Sequence, residues 1–166
     1  ERMTVSGSYL YAATESDTQE LVVFSVAAPG SMAPVGGYDV SGTQDGQAID
    51  ISGTIVVLGR DDGSGPELSI FDVTAPSAPV LLGSTDLSEE VNGVALEGTS
   101  FVHVAADDDQ AQYQRWDISN PSTPTQQASY NLNDDGEGVF FDGVYAYVGS
   151  EDNSQELWIL GPLTPP

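Results

Sequence analysis

The stretch Leu68-Ser-Ile-Phe-Asp-Val-Thr-Ala-Pro-Ser-Ala-Pro79 decides the fold, because the chain says it again. Tyr113-Gln-Arg-Trp-Asp-Ile-Ser-Asn-Pro-Ser-Thr-Pro124 repeats it 45 residues later, and Leu21-Val-Val-Phe-Ser-Val26 with Pro29 and Pro34 anticipates it. In each copy a short run rich in β-branched and aromatic residues gives way to a proline-stiffened corner. Proline offers no N–H to a central ladder, so the run reads as a strand and the corner as its exit.

Working outward from that unit, two further markers keep the same period. A small or acidic residue precedes glycine at Gly7, Gly53, Gly98 and Gly143, spaced 46, 45 and 45, and Pro34, Pro79 and Pro124 are spaced 45 and 45. The apolar run itself ends at Phe24, Phe71, Trp116 and Leu160. A period of this size announces a repeat architecture.

Each unit holds four strands, A to D, separated by turn residues. The first unit predicts Met3–Ser6, Tyr9–Ala13, Leu21–Val26 and Val35–Val40; the second Gln47–Ser52, Thr54–Leu58, Glu67–Val73 and Val80–Asp86. The third predicts Gly93–Glu97, Phe101–Ala105, Tyr113–Ile118 and Thr125–Leu132, and the fourth Gly138–Asp142, Tyr145–Val148 and Leu157–Leu160. Between A and B a tight turn puts glycine where a positive φ is needed. No segment carries a helical apolar period of useful length.

Four antiparallel strands per repeat of this size define a blade of a β-propeller, since one twisted sheet cannot bury both faces without neighbours. The expectation is an all-β chain, a single propeller domain of about four blades, with repeats at about 3–46, 47–91, 92–137 and 138–162 and a C-terminal tail at 163–166. The last blade lacks its outer strand, so the chain is either a minimal four-bladed toroid or an arc of a larger ring. Uncapped strand edges favour association. A protein partner or another propeller chain is therefore expected to complete or cover them, a two-chain ring of about eight blades being one arrangement.

The residues also carry a family resemblance. Leu68-Ser-Ile-Phe-Asp-Val73 with Ala-Pro-Ser-Ala-Pro79, Leu81-Leu-Gly83 and Asn92-Gly-Val-Ala-Leu96 resembles the LVIVD repeat of bacterial and archaeal extracellular β-propellers, and the copies at Tyr113–Ile118 and Leu21–Val26 extend the likeness over the chain. The fourth unit departs after Trp158-Ile-Leu160, where Gly161-Pro162 stands for the Asp-Val pair. The resemblance implies an extracellular or cell-surface protein and brings no catalytic residues.

Charge narrows the partners. With 26 Asp and Glu against three arginines and no lysine, the formal net charge is -23, which makes direct nucleic-acid binding and attraction to anionic membranes improbable. No run of eighteen apolar residues suggests membrane insertion, and the absence of cysteine removes disulfides and thiolate chemistry. In a blade the B–C and D–A loops share one face. Most of the acids fall in those loops, so one end of the propeller is expected to be strongly negative.

Such a face would recruit a cationic partner by steering, or metal ions, with calcium the cofactor to consider. The candidate ligands are Asp61, Asp62, Asp107, Asp108, Asp109, Asp134, Asp135, Glu137, Glu151 and Asp152. Solubility alone is the competing explanation. Asn131-Leu-Asn-Asp-Asp-Gly136 with Asp142 in twelfth place resembles a relaxed calcium loop, although a plain turn accounts for it better. Nothing signals an enzyme. His103 stands alone in an alternating strand, the glycine-rich Asp61-Asp-Gly-Ser-Gly65 lacks the lysine of a phosphate loop, and Tyr11, Phe24, Phe71, Trp116 and Trp158 read as inter-blade core. A non-catalytic interaction or scaffold module is the main reading. A calcium-dependent ligand-binding propeller and a hydrolase using carboxylates of the funnel are its alternatives.

Overall fold

The computed structural model describes residues 2–161, so the expected tail at 163–166 and any outer strand of the fourth unit past Gly161 lie outside the described residues. Fifteen strands form four antiparallel sheets, each taken in sequence order. Blade 1 holds β1 (Met3–Ser6), β2 (Tyr9–Ala13), β3 (Leu21–Ser25) and β4 (Ala33–Tyr38). Blade 2 holds β5 (Gly46–Ser52), β6 (Ile55–Arg60), β7 (Leu68–Asp72) and β8 (Val80–Thr85). Blade 3 holds β9 (Val91–Glu97), β10 (Phe101–Ala106), β11 (Tyr113–Asp117) and β12 (Thr125–Tyr130). Blade 4 has three strands among the described residues, β13 (Gly136–Phe141), β14 (Ala146–Ser150) and β15 (Leu157–Leu160). Among the described residues a single 3-10 turn at Pro29–Ser31, in the C–D corner of blade 1, is the one departure from strand and loop.

The turn chemistry follows the glycine marker. Gly7, Gly53 and Gly98 adopt φ of 59°, 60° and 61°, and Gly143 100°, a region costly for any side chain with a Cβ. A different glycine demand appears in strand D. A Cβ on Gly36 or Gly83 would overlap the carbonyl oxygen of Pro76 or Pro121, so the C–D corners of blades 2 and 3 rest against the outer strands of blades 1 and 2. Pro76 and Pro121, three residues before the repeat markers Pro79 and Pro124, thus make an inter-blade contact through their carbonyls.

Three cores lie between blades rather than within them. Tyr11, Leu21 and Val23 of blade 1 meet Ile49, Val56, Leu58 and Phe71 of blade 2. Val57, Leu68 and Ile70 of blade 2 meet Val91, Val94, Val102 and Val104 of blade 3. Tyr113 of blade 3 meets Val148, Phe141 and Leu160 of blade 4. Burial of each large side chain contributes roughly 1.5–3 kcal/mol. Asp50 adds a polar staple across the second seam, its Oδ2 accepting the Leu96 N–H at 2.8 Å.

The aromatic expectation holds for Tyr11 and Phe71 in the first core and for Trp116 and Trp158, which pack against the second and third, but needs one correction. Phe24 pairs with Leu10 on the side of blade 1 that faces away from blade 2, so it is absent from all three cores. Trp158 reaches the third core from another level of the sheet, pairing with Val148 as Ser69 pairs with Leu58, while Leu160 is the counterpart of Phe71. A two-residue offset along a strand keeps the same face, a one-residue offset reverses it.

Candidate functional site

Antiparallel order brings the end of each B strand beside the start of each A strand. The backbone ties them: Asp61 N–H donates to Asp45 O at 3.0 Å, Asp107 N–H to Glu90 O at 3.1 Å and Glu151 N–H to Asp135 O at 3.0 Å. The B–C and D–A loops of blades 2, 3 and 4 therefore adjoin at one end. Neighbouring blades are tied as well, since Asn92 Nδ2 donates both to Asp107 and to Gly136 O.

The carboxylates at this end influence one another. Partial burial first, then Asp135 and Glu151, hold Asp107 above the usual carboxylate range, against the Asn92 hydrogen bond that lowers it. Glu90 is raised by burial and then by Asp61, Asp107 and Glu137. Burial leads again at Glu137, followed by Glu151, Asp107 and Asp135, with Arg2 opposing. Glu89 is raised by burial and by Asp108, Asp62, Asp109 and Asp107.

Eight of the ten expected site residues, Asp61, Asp62, Asp107, Asp108, Asp109, Asp135, Glu137 and Glu151, thus act on one shared set of charges. Glu89 and Glu90 belong with them and were not singled out by the sequence, although their place in the D–A loop was visible. Asp134 and Asp152 have local duties instead. Asp134 Oδ1 accepts the Asp135 N–H at 3.1 Å, and Asp152 Oδ1 accepts Ser154 N–H and Oγ–H at 2.7 and 2.6 Å, which lowers its pKa.

As metal ligands these side chains are less well placed. Among the described residues no group of three or more His, Asp or Glu is arranged to hold an ion. Asp108 Oδ1 is engaged by the Gln110 and Ala111 N–H groups, and Asp61 by Gln47. The calcium-like loop resolves into a turn: Asn131 Oδ1 accepts the Asn133 N–H at 2.8 Å, with Asn133 at φ 72°. Asp142 sits past the far end of β13, roughly 20 Å away at about 3.3 Å per residue. There it caps the A–B turn, accepting the Val144 and Tyr145 N–H groups.

Two acids expected at this end are removed from it by burial. Glu20 and Glu67 are 0% exposed and perform one structural task. Glu20 Oε2 accepts the Val40 N–H at 2.7 Å, Glu67 Oε2 the Leu87 N–H at 2.8 Å, and Gln112 Oε1 the Leu132 N–H at 2.7 Å. The residue before strand C in each of blades 1 to 3 therefore caps the chain as it leaves strand D. Glu156, at the same place in blade 4, is exposed. Arg60 is also fully buried, donating to Ser41, Pro66 and Gln44 carbonyls and to Gln44 Oε1. Burial lowers its pKa while Glu20 and Glu67 oppose the change.

A second polar constellation lies in the seam between blades 3 and 4, beside a cavity of about 160 Å³. Glu97 Oε2 accepts Arg115 Nη2–H at 2.7 Å and Nε–H at 2.9 Å, and the guanidinium stacks over Phe101 at 3.7 Å. His103 stacks on Phe141 at 4.5 Å, with Nδ1 2.8 Å from the Tyr113 hydroxyl. Its Nε2 faces Glu97 Oε2 at 3.4 Å, too long for a good hydrogen bond, so that buried nitrogen lacks a proper partner. Burial pulls His103 down to about 4, Glu97 opposing and Arg115 assisting, and burial pushes Tyr113 up to about 12. Both are neutral at pH 7 and far from the range that suits a general base.

Comparison with known proteins agrees with this architecture. The LVIVD repeat matches residues 1–40, 63–86 and 116–132. The computationally designed Ika4 protein superposes with a TM-score of 0.72 at 16% identity, over 96% of this chain and 89% of that one. The computationally designed Ika8 protein gives 0.69 at 16% identity over 96% of this chain, which spans 45% of its length. The β-propeller domain of Cps50 (Swd1) from Myceliophteria thermophila gives 0.51 at 10% identity, over 95% and 68%. At these identities the likeness concerns the fold. None of the curated proteins matches the chain.

Proposed function

From a chain of LVIVD repeats folded as a β-propeller, we propose a non-catalytic interaction module whose B–C and D–A loop end is a negatively charged face that binds a basic protein partner. One observation carries the reading. Glu89, Glu90, Asp107 and Glu137, drawn from the loops of neighbouring blades, are all held above the ordinary carboxylate range, and within that group only Glu137 has an arginine, Arg2, to offset its neighbours. Carboxylates in that state gain from any cation placed among them. The sign follows. Their native pKa values are raised, so stability rises as pH falls through those values, and a docked basic partner has the same effect at neutral pH.

Non-catalysis is supported by the burial and neutrality of His103 and Tyr113. The extracellular or cell-surface setting rests on the family resemblance alone. A fluorescently labelled decalysine peptide, titrated at low salt and read by anisotropy, tests the reading. Replacing Glu90→Gln and Asp107→Asn together is expected to weaken binding several-fold, because both lie inside the coupled set. Replacing Asp72→Asn and Asp117→Asn, which cap turns at the opposite end, removes the same charge and is expected to leave affinity nearly unchanged. Equal losses from both pairs would reduce the effect to net charge and end the proposal. A melting point raised by Ca²⁺ relative to EDTA would instead favour metal as the occupant.

A further inference from the structure

Blade 4 turns toward solvent a face that the other blades bury. Strand register places Leu157 level with Leu21 and Leu68, and Ile159 level with Val23 and Ile70. Those four counterparts are 0% exposed, whereas Leu157 and Ile159 are 58% and 59% exposed. Phe140, across from Tyr147 on the same face, is 63% exposed.

Blade 1 shows the reciprocal vacancy. Met3 is level with Ile49 of blade 2 and Val94 of blade 3, which are 7% and 9% exposed; Met3 itself is 64% exposed and Val5 57%. A four-bladed ring closed on itself would bury both faces against each other. Among the described residues the hydrogen bond from Arg2 Nη2 to Glu137 O is the only one joining blades 1 and 4, and the apolar positions stay open.

We infer that a second copy of this chain covers both faces, blade 4 of each copy docking on blade 1 of the other, so that two chains close one ring of eight blades. The interface needs no new chemistry. The chain already makes it three times, each trailing face of Leu, Val, Ile or Tyr meeting a leading face of the kind Met3, Val5 and Leu10 present. Head-to-tail contacts close into rings when the rotation allows, and the four blades follow less than half the length of Ika8. Each copy carries a formal charge of -23, so the pair is held against repulsion and tightens with salt. None of this depends on what the acidic end binds.

The chain has no cysteine, which makes crosslinking clean. Light scattering at physiological salt is expected to give the mass of two chains. With a short bismaleimide, mixed Val5→Cys and Ile159→Cys proteins are expected to form a covalent two-chain product, and neither protein alone. Ile159→Asp is expected to weaken association more than tenfold while the circular dichroism spectrum and melting of the fold persist. A monomer whose Val5→Cys/Ile159→Cys double variant crosslinks within one chain would overturn the inference in favour of a self-closed four-bladed ring. A monomer without crosslinks, or open multimers of more than two chains, would overturn it as well.

Discussion

His103 links the buried seam between blades 3 and 4 to acid stability. It is 3% exposed, and its native pKa lies near 4 against an ordinary 6.5, so the unfolded chain binds more protons between those values. A group depressed in this way leaves stability complete above pH 6.5 and erodes it as pH falls toward 4, with no further loss below. Each pH unit of the gap is worth about 1.4 kcal/mol, so the loss totals roughly 3 kcal/mol. For a chain of this length that corresponds to about 6–12 °C in melting temperature. The raised carboxylates of the loop end act in the opposite sense as pH falls, so the contribution must be read as a difference. His103→Gln keeps an acceptor for the Tyr113 hydroxyl and a donor toward Glu97 but cannot titrate. Urea unfolding of both proteins from pH 7.5 to 4 is expected to show wild type losing roughly 3 kcal/mol more than the variant. Because the chain has one histidine, its imidazole NMR resonance reports the native midpoint directly. A midpoint at or above 6.5, or parallel curves for the two proteins, would refute the reasoning.

Other substitutions separate structural acids from surface ones. Glu67→Gln is expected to be nearly neutral, because Gln112 performs the same cap in blade 3, whereas Glu67→Leu strands the Leu87 N–H, while Ser88 N–H keeps Asp86 Oδ1, and costs about 1–3 kcal/mol in urea unfolding. Gly83→Ala is expected to cost about 1–3 kcal/mol through overlap with the Pro121 carbonyl. Gly98→Ala meets no neighbour and costs only the backbone penalty of a positive φ, about 1 kcal/mol. Thermal melts of the two glycine variants therefore distinguish packing from conformation.

Much of the fold was legible because its determinants are local and repeated. The two-residue alternation of Phe101-Val-His-Val-Ala105, the glycines of the A–B turns and the prolines of the C–D corners each act within a few residues, and three copies average out the exceptions. Strand edges moved by a residue or two, as at β4 and β6, where pairing with a neighbour extends or trims a run that composition alone delimits differently. The loop end was legible to the same degree, since loop identity follows from strand order.

Period, strand order and the end of each blade on which every loop falls all follow from the order of residues along the chain. Only the tertiary structure decided which of those loop residues remain at the surface. Glu20 and Glu67 look like their acidic neighbours in sequence, yet the chain leaving strand D, twenty residues on, draws them inside to satisfy its N–H groups. Likewise Glu97, Arg115, His103 and Phe141 come together only when blade 4 is laid on blade 3. The same stacking decides that Ile70 is buried and Ile159 is not, although both occupy one place in the repeat. The physical reason is common to all three: a blade specifies its own sheet by near-neighbour alternation, but burial is conferred by the next blade, and no local pattern records whether that blade is present.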